Sequence, residues 1–434
     1  MQSELNIVDL RVGRQTILGI LFAVFLSAPS VLALCFGLVG SSGNSLFTGV
    51  FLATSTVSVG LLCQRRTITL MLPDFVFLSL IFAILSSFVL NGQTSNLKEW
   101  ALLALSLGAY PACRMMAGSD LLRSRQSFIA ASGLVVLLGT IATGFALFQQ
   151  WGDEHGKPYV FGFDAAPTYF LQTLALLTFA LITAGNIARR RAAIIFAIFL
   201  PYAIFAASLV RFSFISLAGS FFLAIFFSSK EQRKHILVIG TAIAVSTSIG
   251  LIARYSKVEI FAVYALERSS GELTWERPPS CEMRINPKNS IAIRKALTLD
   301  AAFLIPRAGW FGTGLDSFMT LSCVERTEVH NSFLQITTEF GWSAGFLLLF
   351  LVLSTLALLL PMARQDKASL FVLCSLAFVI GVSLVHGRIS RDSSLFALLG
   401  CAVGVYETSR TRAARRLRIG DVPTDPSTSV TGSS

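Results

Sequence analysis

The sequence predicts an all-α polytopic membrane protein with about twelve transmembrane helices and one large hydrophilic loop carrying short helices on the non-cytoplasmic side. Three observations predict it. Hydrophobic residues make up 54% of the 434 residues and charged residues only 14%, with a mean hydropathy of +0.69, which is too apolar for a soluble chain of this size. A spanning helix takes about 20 apolar residues at ~1.5 Å each, and twelve runs approach that length. Basic residues, finally, collect at alternate connections between those runs.

The runs lie at 16–39, 46–63, 68–90, 97–113, 127–150, 167–187, 192–210, 212–228 and 236–253, then at 341–360, 368–386 and 393–408. They divide the chain into helices one to nine (1–253), the hydrophilic loop (254–340), helices ten to twelve (341–408) and a basic tail (409–434) whose last Ser-, Thr- and Pro-rich residues read as disordered. The alternate basic connections carry Arg11 and Arg14, Arg65 and Arg66, Arg114 with Arg123 and Arg125, Arg189 to Arg191, and Lys230 with Arg233 and Lys234. Arg364 with Lys367 and the cluster from Arg410 to Arg418 continue the series. The positive-inside bias makes these faces, and both termini, cytoplasmic. The net charge of +11 therefore reads as topology and contact with membrane lipid headgroups, and not as nucleic-acid binding. Residues 2–15 lack a short apolar stretch followed by a cleavage site, so the first helix reads as an anchor.

On the opposite side the connections at 40–45 and 91–96 are short. The third, 151–167, holds His155 among acids and aromatics, with no second ligand at metal-binding spacing; a lone loop histidine of this kind is ordinarily solvated. Arg211 stands out because apolar sequence flanks it on both sides, and holding an arginine in a bilayer costs roughly 2.5–3.5 kcal/mol unless it meets a cavity, a partner or the headgroups. In the large loop, Asn289 or Ser290 starts a helix with Ile293, Leu297 and Leu304 on one face and Arg294 in its first turns, and Pro306 is expected to stop it. Gly312-Thr313-Gly314 follows as a turn where backbone can approach a ligand. Cys281 and Cys323 are the two cysteines of this loop; they are either free or joined in a disulfide closing about 40 residues, worth roughly 4 kcal/mol. The last connection brings His386, Arg388, Arg391 and Asp392, either a basic mouth beside Arg211 or ordinary surface pairs.

His330-Asn331 joins this loop to the next apolar run through Ser332 to Phe340, Gly341, Trp342, Ser343, Ala344 and Gly345. The spacing resembles the signature of the O-antigen ligase and polysaccharide polymerase superfamily: His-Asn, nine residues, Gly, two residues, then Gly, Thr or Tyr. Ala344 occupies the final position and Gly345 comes one residue late. Upstream, Arg294 through Gly312-Thr313-Gly314 is similar to the family's arginine, helix and Gly-x-Gly order, with Gly309 where the family usually has proline. The likeness covers roughly 195–405.

The resemblance implies a bacterial inner-membrane enzyme, metal-independent and without a cofactor, whose loop and site face the periplasm. It implies that a glycan leaves undecaprenyl diphosphate for a hydroxyl of the lipid A core (a ligase) or of a growing O-antigen or exopolysaccharide chain (a polymerase), with inversion. Arg211 and Arg294 are then the diphosphate clamps, since arginine keeps its proton and meets phosphate bidentately. His330 is the general base. Asn331, Arg388, Arg391, Gly312 and Gly314 are the expected substrate contacts. The competing class is a polysaccharide or small-solute transporter or flippase, which explains the helices and the mouth arginines but meets few acids in the helix centres.

Overall fold

The computed structural model describes residues 2–39, 53–54, 57, 68–92, 94–95, 97–117, 125–152, 157–185, 187–259, 290–324 and 327–420. His155, Cys281, Cys63, the run at 46–63 apart from three residues, and the Ser- and Thr-rich tail beyond Gly420 lie outside them. Among the described residues the regular elements are helices, and the one β-type contact is an isolated bridge between Val160 and Phe163. Helix α1 is Gln2–Leu26, α2 Ala28–Val39, α3 Leu72–Asn91, α4 Leu97–Ala117, α5 Arg125–Gln149, α6 Ala166–Thr183, α7 Ile187–Ala207, α8 Arg211–Phe227 and α9 Lys230–Ala253. After the undescribed stretch come α10 (Ser290–Ala308), α11 (Phe318–Leu321), α12 (Ser332–Glu339), α13 (Gly341–Met362), α14 (Lys367–Ser383), a 3₁₀ turn (Ile389–Arg391) and α15 (Ser393–Gly420).

The chain is an all-α, multi-pass membrane protein, but its helices do not all pass as spans. Among the described residues six are long and apolar enough to cross a bilayer, or seven if α1 and α2 count as one bent span. The expected twelve came from apolar runs alone; the run at 46–63 lies almost wholly outside the described residues, and three physical features make up the rest of the difference. The run at 16–39 is broken at Ser27, where α1 and α2 meet at 85°; Pro29 in the first turn of α2 cannot supply the amide that a continuous helix needs. Helices α8 and α14 are apolar but only 17 residues long. Helices α4 and α15 carry ionic side chains that the bundle pairs internally.

One set of those pairs lies at one end of the bundle. Arg114 Nη1 meets Glu407 at 2.7 Å, its Nε meets Asp74 at 3.2 Å, and Tyr110 donates to Asp74 at 2.9 Å, all buried between α3, α4 and α15. At the same end Arg191 reaches His235, Arg364 lies over Phe226 and Phe227, and Lys367 donates to the carbonyl of Gly185. Contacts at the other end join Asn91 to Phe311, Thr94 to Leu315, Glu99 to Arg391 and Arg254 to Trp151. Successive helices therefore alternate in direction, which gathers the connections after α3, α5, α7, α9 and α14 at a single end.

Small residues bring the helices close. In lipid, association relies on packing, because the tails are as apolar as the side chains. A Cβ on Gly400 would meet the backbone of Tyr110, and one on Gly404 would meet Ala117 and Arg114, so α15 lies against α4 at near backbone contact. Helix α6 and the first half of α15 are buried on nearly all sides and form the centre. Outside the bundle, Leu297, Ala301, Leu304, Phe318 and Val329 make a second small core. Helix α10 thus has the expected apolar face. It runs two residues past Pro306, though, because a proline in the last turn removes a single amide bond, and Gly309 at φ 59° ends it instead.

Removing Arg114 leaves two buried carboxylates without their cation. Arg114→Ala is expected to lower stability by about 3–5 kcal/mol, read from unfolding curves in detergent, while Arg410→Ala at an exposed position changes little. Equal effects from the two variants would show that the ionic knot does not hold α3, α4 and α15 together.

Candidate functional site

Helix α12 is short, and its first residue owes its position to a cap. The side-chain oxygen of Asn331 accepts from the amides of Phe333 at 3.0 Å and Leu334 at 3.1 Å. Asn331 itself is extended, and the chain reaches it through His330 at φ 53°, a left-handed conformation that a side chain normally disfavours. Neighbours fix the helix on both sides. Ser332 donates to Asp392 at 2.8 Å, and the Gln335 carbonyl oxygen accepts from the amide of Ile389 at 2.9 Å. Burial raises the Asp392 carboxyl to about 6 and, at the far end of the helix, that of Glu339 to about 8.

Three other elements converge on His330. Helix α10 supplies Arg294, whose guanidinium lies 4.7 Å from the ring centroid of Phe212 and reaches His386 Nδ1 at 3.3 Å. An arginine only donates, so His386 Nδ1 accepts and its proton sits on Nε2. Burial pushes His386 down to about 2, with Arg294 and Lys157 adding to the effect, so this imidazole is neutral. Helix α8 begins at Arg211 and presents Phe212, whose ring stands edge-on to His386 at 6.2 Å. The connection between α5 and α6 supplies Lys157 and Asp164; it is held by the bridge from Val160 to Phe163 and by Gln150, which bonds Tyr159 through both its side-chain atoms.

The electrostatics follow from this crowding. Burial draws the Lys157 ammonium below its ordinary range, and the charges of Arg294 and Arg211 draw it further, against the pull of Asp164. His330 is lowered by burial first, then by Arg294 and Lys157. The cluster thus brings Lys157, Arg211 and Arg294 together with the carboxylate Asp164 beside two imidazoles held neutral. Such a site attracts an anion, and His330 is ready to accept a proton.

Beside it the carboxylates outnumber the cations. Arg388 Nη2 meets Asp316 at 2.9 Å and Glu99 at 3.2 Å, and its Nη1 pairs with Glu328. Arg391 meets the other oxygen of Glu99 at 2.8 Å, and Ser390 donates to Glu99 as well. Arg388 and Arg391, expected as substrate contacts, thus hold the protein to itself; of the two, Arg391 has the more exposed side chain. Asp392 bonds Ser332, so Arg391 and Asp392 do not form the anticipated surface pair.

The glycine turn also faces inward. Gly314 donates to the carbonyl of Glu339 at 2.8 Å, Thr313 to that of Thr338 at 3.2 Å, and Trp342 to that of Gly309 at 2.9 Å. A Cβ on Gly312 would strike the backbone of Glu339 and Gly341, and one on Gly341 that of Trp310 and Gly312. The close approach expected of these glycines is, at Gly312, to the junction of α12 and α13 and, at Gly314, to the side chain of Thr94. Asn331 is likewise occupied, its side-chain oxygen being the helix cap. Cys323 is disulfide-bonded, and its partner, expected to be Cys281, lies outside the described residues; Cys35, Cys113, Cys374 and Cys401 are free.

His330, Arg294 and Arg211 therefore come together from three separate elements. Lys157, Asp164 and Phe212 join them without having been singled out as site residues, and His386 joins them from the connection that one alternative made a basic mouth beside Arg211. Phe212 adjoins Arg211 and His386 ends an apolar run, which are weak signals; Lys157 reads as one charge among several in a polar loop. Strain marks the region too. The non-glycine residues with positive φ are Phe161, Leu209, Asp316 and His330 among the described residues, and all belong to connections at this end. No group of three or more His, Cys, Asp and Glu side chains is arranged for a metal among the described residues. No protein-family model matches the chain, and no curated protein matches it in sequence.

Gly341 combines a positive φ of 89° with backbone contact, whereas Gly92 at φ 71° has open space around its Cα. Gly92, at φ 71° and ψ −164°, lies where glycine is strongly favoured, so Gly92→Ala should cost only that backbone penalty of about 1–3 kcal/mol. Gly341→Ala adds a backbone collision and should lower stability well beyond that in the same detergent unfolding assay. Equal losses would mean that the α10–α13 junction is looser than its hydrogen bonds imply.

Proposed function

We propose that this chain is a membrane glycosyltransferase of cell-surface polysaccharide assembly, moving a glycan from undecaprenyl diphosphate to an acceptor hydroxyl. The observation that carries the reading is a neutral, partly buried, strained His330 in a cluster with Lys157, Arg211 and Arg294. The likeness of the His330-Asn331 stretch to the O-antigen ligase and polymerase superfamily supplies the substrate class. The basic end of the bundle then faces the cytoplasm of a bacterial inner membrane, by the positive-inside bias, and the site opens to the periplasm.

In this reading the diphosphate lies against Arg211 and Arg294, with Lys157 as a third cation. The acceptor oxygen forms a bond to the anomeric carbon while the bond from that carbon to the diphosphate oxygen breaks, and the electron pair leaves with the diphosphate. The acceptor proton passes to His330. The three cations stabilise the negative charge that grows on the leaving group, where preorganised charge lowers a barrier most. His386 and Phe212 keep the Arg294 guanidinium in plane. A single displacement inverts the anomeric centre. The acceptor is the lipid A core or a growing polysaccharide.

A strain deleted for the gene and complemented with wild type or His330→Ala tests this on a lipopolysaccharide gel run beside extracted lipid-linked glycans. The variant should lose about 10²-fold or more of transfer, as expected for removal of a general base. Single repeat units on the core identify a polymerase; bare core with long lipid-linked chains identifies a ligase. Wild-type glycan pools in the His330→Ala strain would discard the enzyme in favour of a transporter.

The pH dependence of transfer gives an independent reading. His330 must be neutral to accept the proton, and its pKa lies below the ordinary histidine value, so the rate should hold as pH falls past 6.5 and drop only lower. Lys157 pushes His330 down and Asp164 pulls it up. Lys157→Gln should therefore move the acid limb to higher pH and Asp164→Asn to lower pH, whatever either does to the plateau. Limbs that stay in place in both variants would remove His330 as the titrating base.

A further inference from the structure

Both ends of α10 are tied to the end of the bundle that holds the site. Near its start Arg294 reaches Phe212, in the first turn of α8, and His386, just after α14. At its finish three carbonyls accept from the first turn of α13: Ile305 from Trp342 Nε1 at 2.7 Å, Gly309 from the Trp342 amide at 2.9 Å, and Trp310 from the Ser343 hydroxyl at 2.6 Å. A helix of 19 residues fastened in this way lies across the end of the bundle and not along its axis.

Its second half overhangs the lipid-facing side of α13. That helix is long and apolar enough to cross a bilayer, and Trp342, Phe346, Leu349, Phe350 and Leu353 are exposed along it at helical spacing. Trp342 tops this stripe. Its ring stands 5.8 Å from that of Trp310 at a steep angle, and Trp310 is 65% exposed, the most of the described tryptophans. Phe303, Arg307 and Phe311 are exposed beside it, and the Arg307 guanidinium lies 5.8 Å from the Phe303 ring centroid. Arg307 pairs with no carboxylate among the described residues. Helix α10 thus has two apolar surfaces: Leu297, Ala301 and Leu304 close on the small core, while the aromatic one stays open. An indole has an apolar body and a polar N–H, and an arginine an apolar stem and a charged tip, so both suit the boundary between acyl chains and headgroups.

We infer that the second half of α10 docks on the bilayer surface, in the headgroup region of the leaflet on the site's side, with Trp310 and Trp342 at the acyl boundary and Arg307 on lipid phosphate. Bulk phospholipid is the occupant because Trp310 touches Trp342 directly, so the patch continues the stripe by which α13 meets lipid, with no polar gap between them. This assignment stands apart from the proposed transfer reaction. Its consequence for the site is mechanical. Arg294 and Arg307 belong to one helix and lie about 20 Å apart along it at ~1.5 Å per residue, so lipid held at one end steadies the guanidinium at the other.

Tryptophan fluorescence in phosphatidylcholine nanodiscs reads the position, using acyl chains brominated either near the headgroup or near the bilayer centre. Wild type should lose more emission to the shallow bromines than to the deep ones. Trp310→Phe, a mild change at an exposed ring, should lack the largest single share of that loss, and Phe303→Trp in the Trp310→Phe background should restore it. Equal quenching of wild type and Trp310→Phe, or a Trp310 share that answers more to the deep bromines, overturns the assignment. A Trp310 share that ignores both lipids also overturns it: a response to added dextran oligosaccharide would mark a sugar platform, and a response to protein concentration a second copy of the chain.

Hydrogen exchange tests the mechanical consequence without fluorescence or catalysis. Amides in the second half of α10 should exchange about tenfold more slowly in phosphatidylcholine nanodiscs than in lipid-free amphipol. The double variant Trp310→Ser, Arg307→Ser should lose that difference while the buried amides of α6 keep their protection, which reports an intact fold. Equal exchange of α10 in the two media for wild type, or a lipid effect that survives in the double variant, overturns the docking.

Discussion

The guanidinium of Arg388 is the joint on which the site depends. It meets Glu99 at the start of α4, inside the bundle, and Asp316 and Glu328 in the segment between α10 and α12, outside it. Burying an ion pair is repaid only by good geometry and close partners, and here two nitrogens of one side chain take three carboxylates, its Nε meeting none among the described residues, while Arg391 and Ser390 satisfy Glu99 further. The consequence runs along the chain. Glu328 is pinned by Arg388, His330 two residues later turns left-handed, and Asn331 then starts α12 with its own side chain as cap. The position of His330 is thus a result of where Arg388 holds the loop.

The contrast between neighbouring charge clusters gives the site its character. Asp74, Arg114 and Glu407 at one end, and the Arg388 network at the other, pair every cation with carboxylates. Lys157 and Arg294 bear on neutral imidazoles, and Arg211 and Asp164 bear on Lys157 in opposite senses. Cations that lower one another's proton affinity store repulsion, and a bound anion releases it. The positive φ of His330 adds conformational strain at the same place, of the kind that persists only where the surroundings over-determine it.

The helices were legible from the sequence because lipid exposure demands long apolar runs; eleven of the twelve runs coincide with helices, and the twelfth lies almost wholly outside the described residues. Their status as spans was not. Whether Glu99 or Glu407 can sit inside depends on Arg391 and Arg114, partners almost three hundred residues away along the chain, and the bend at Ser27 depends on a single proline. In the site, His330, Arg294 and Arg211 were visible because each is a chemically loaded residue at an apolar boundary. Lys157 and His386 were not, since only the alternation of helix directions brings the α5–α6 and α14–α15 connections to the same point. The glycines illustrate a further limit. Gly312 and Gly341 each require a conformation without a Cβ, which the residue type announces, but whether the space belongs to a ligand or to another stretch of backbone is decided by the docking of α10 on α13.

The turn from Ser208 to Val210 joins two environments through one short piece of chain. A bundle of straight helices ordinarily places apolar surface in the membrane and charge in the loops above it. Here α7 ends at Ala207 among apolar side chains and α8 begins at Arg211, whose charge bears on Lys157, with Leu209 in the left-handed region to make the reversal tight. A longer connection would have lifted the arginine away from the bundle. A shorter one would have drawn it into the hydrocarbon, where a guanidinium is costly. The strained leucine therefore keeps the charge of Arg211 at the edge of the apolar region.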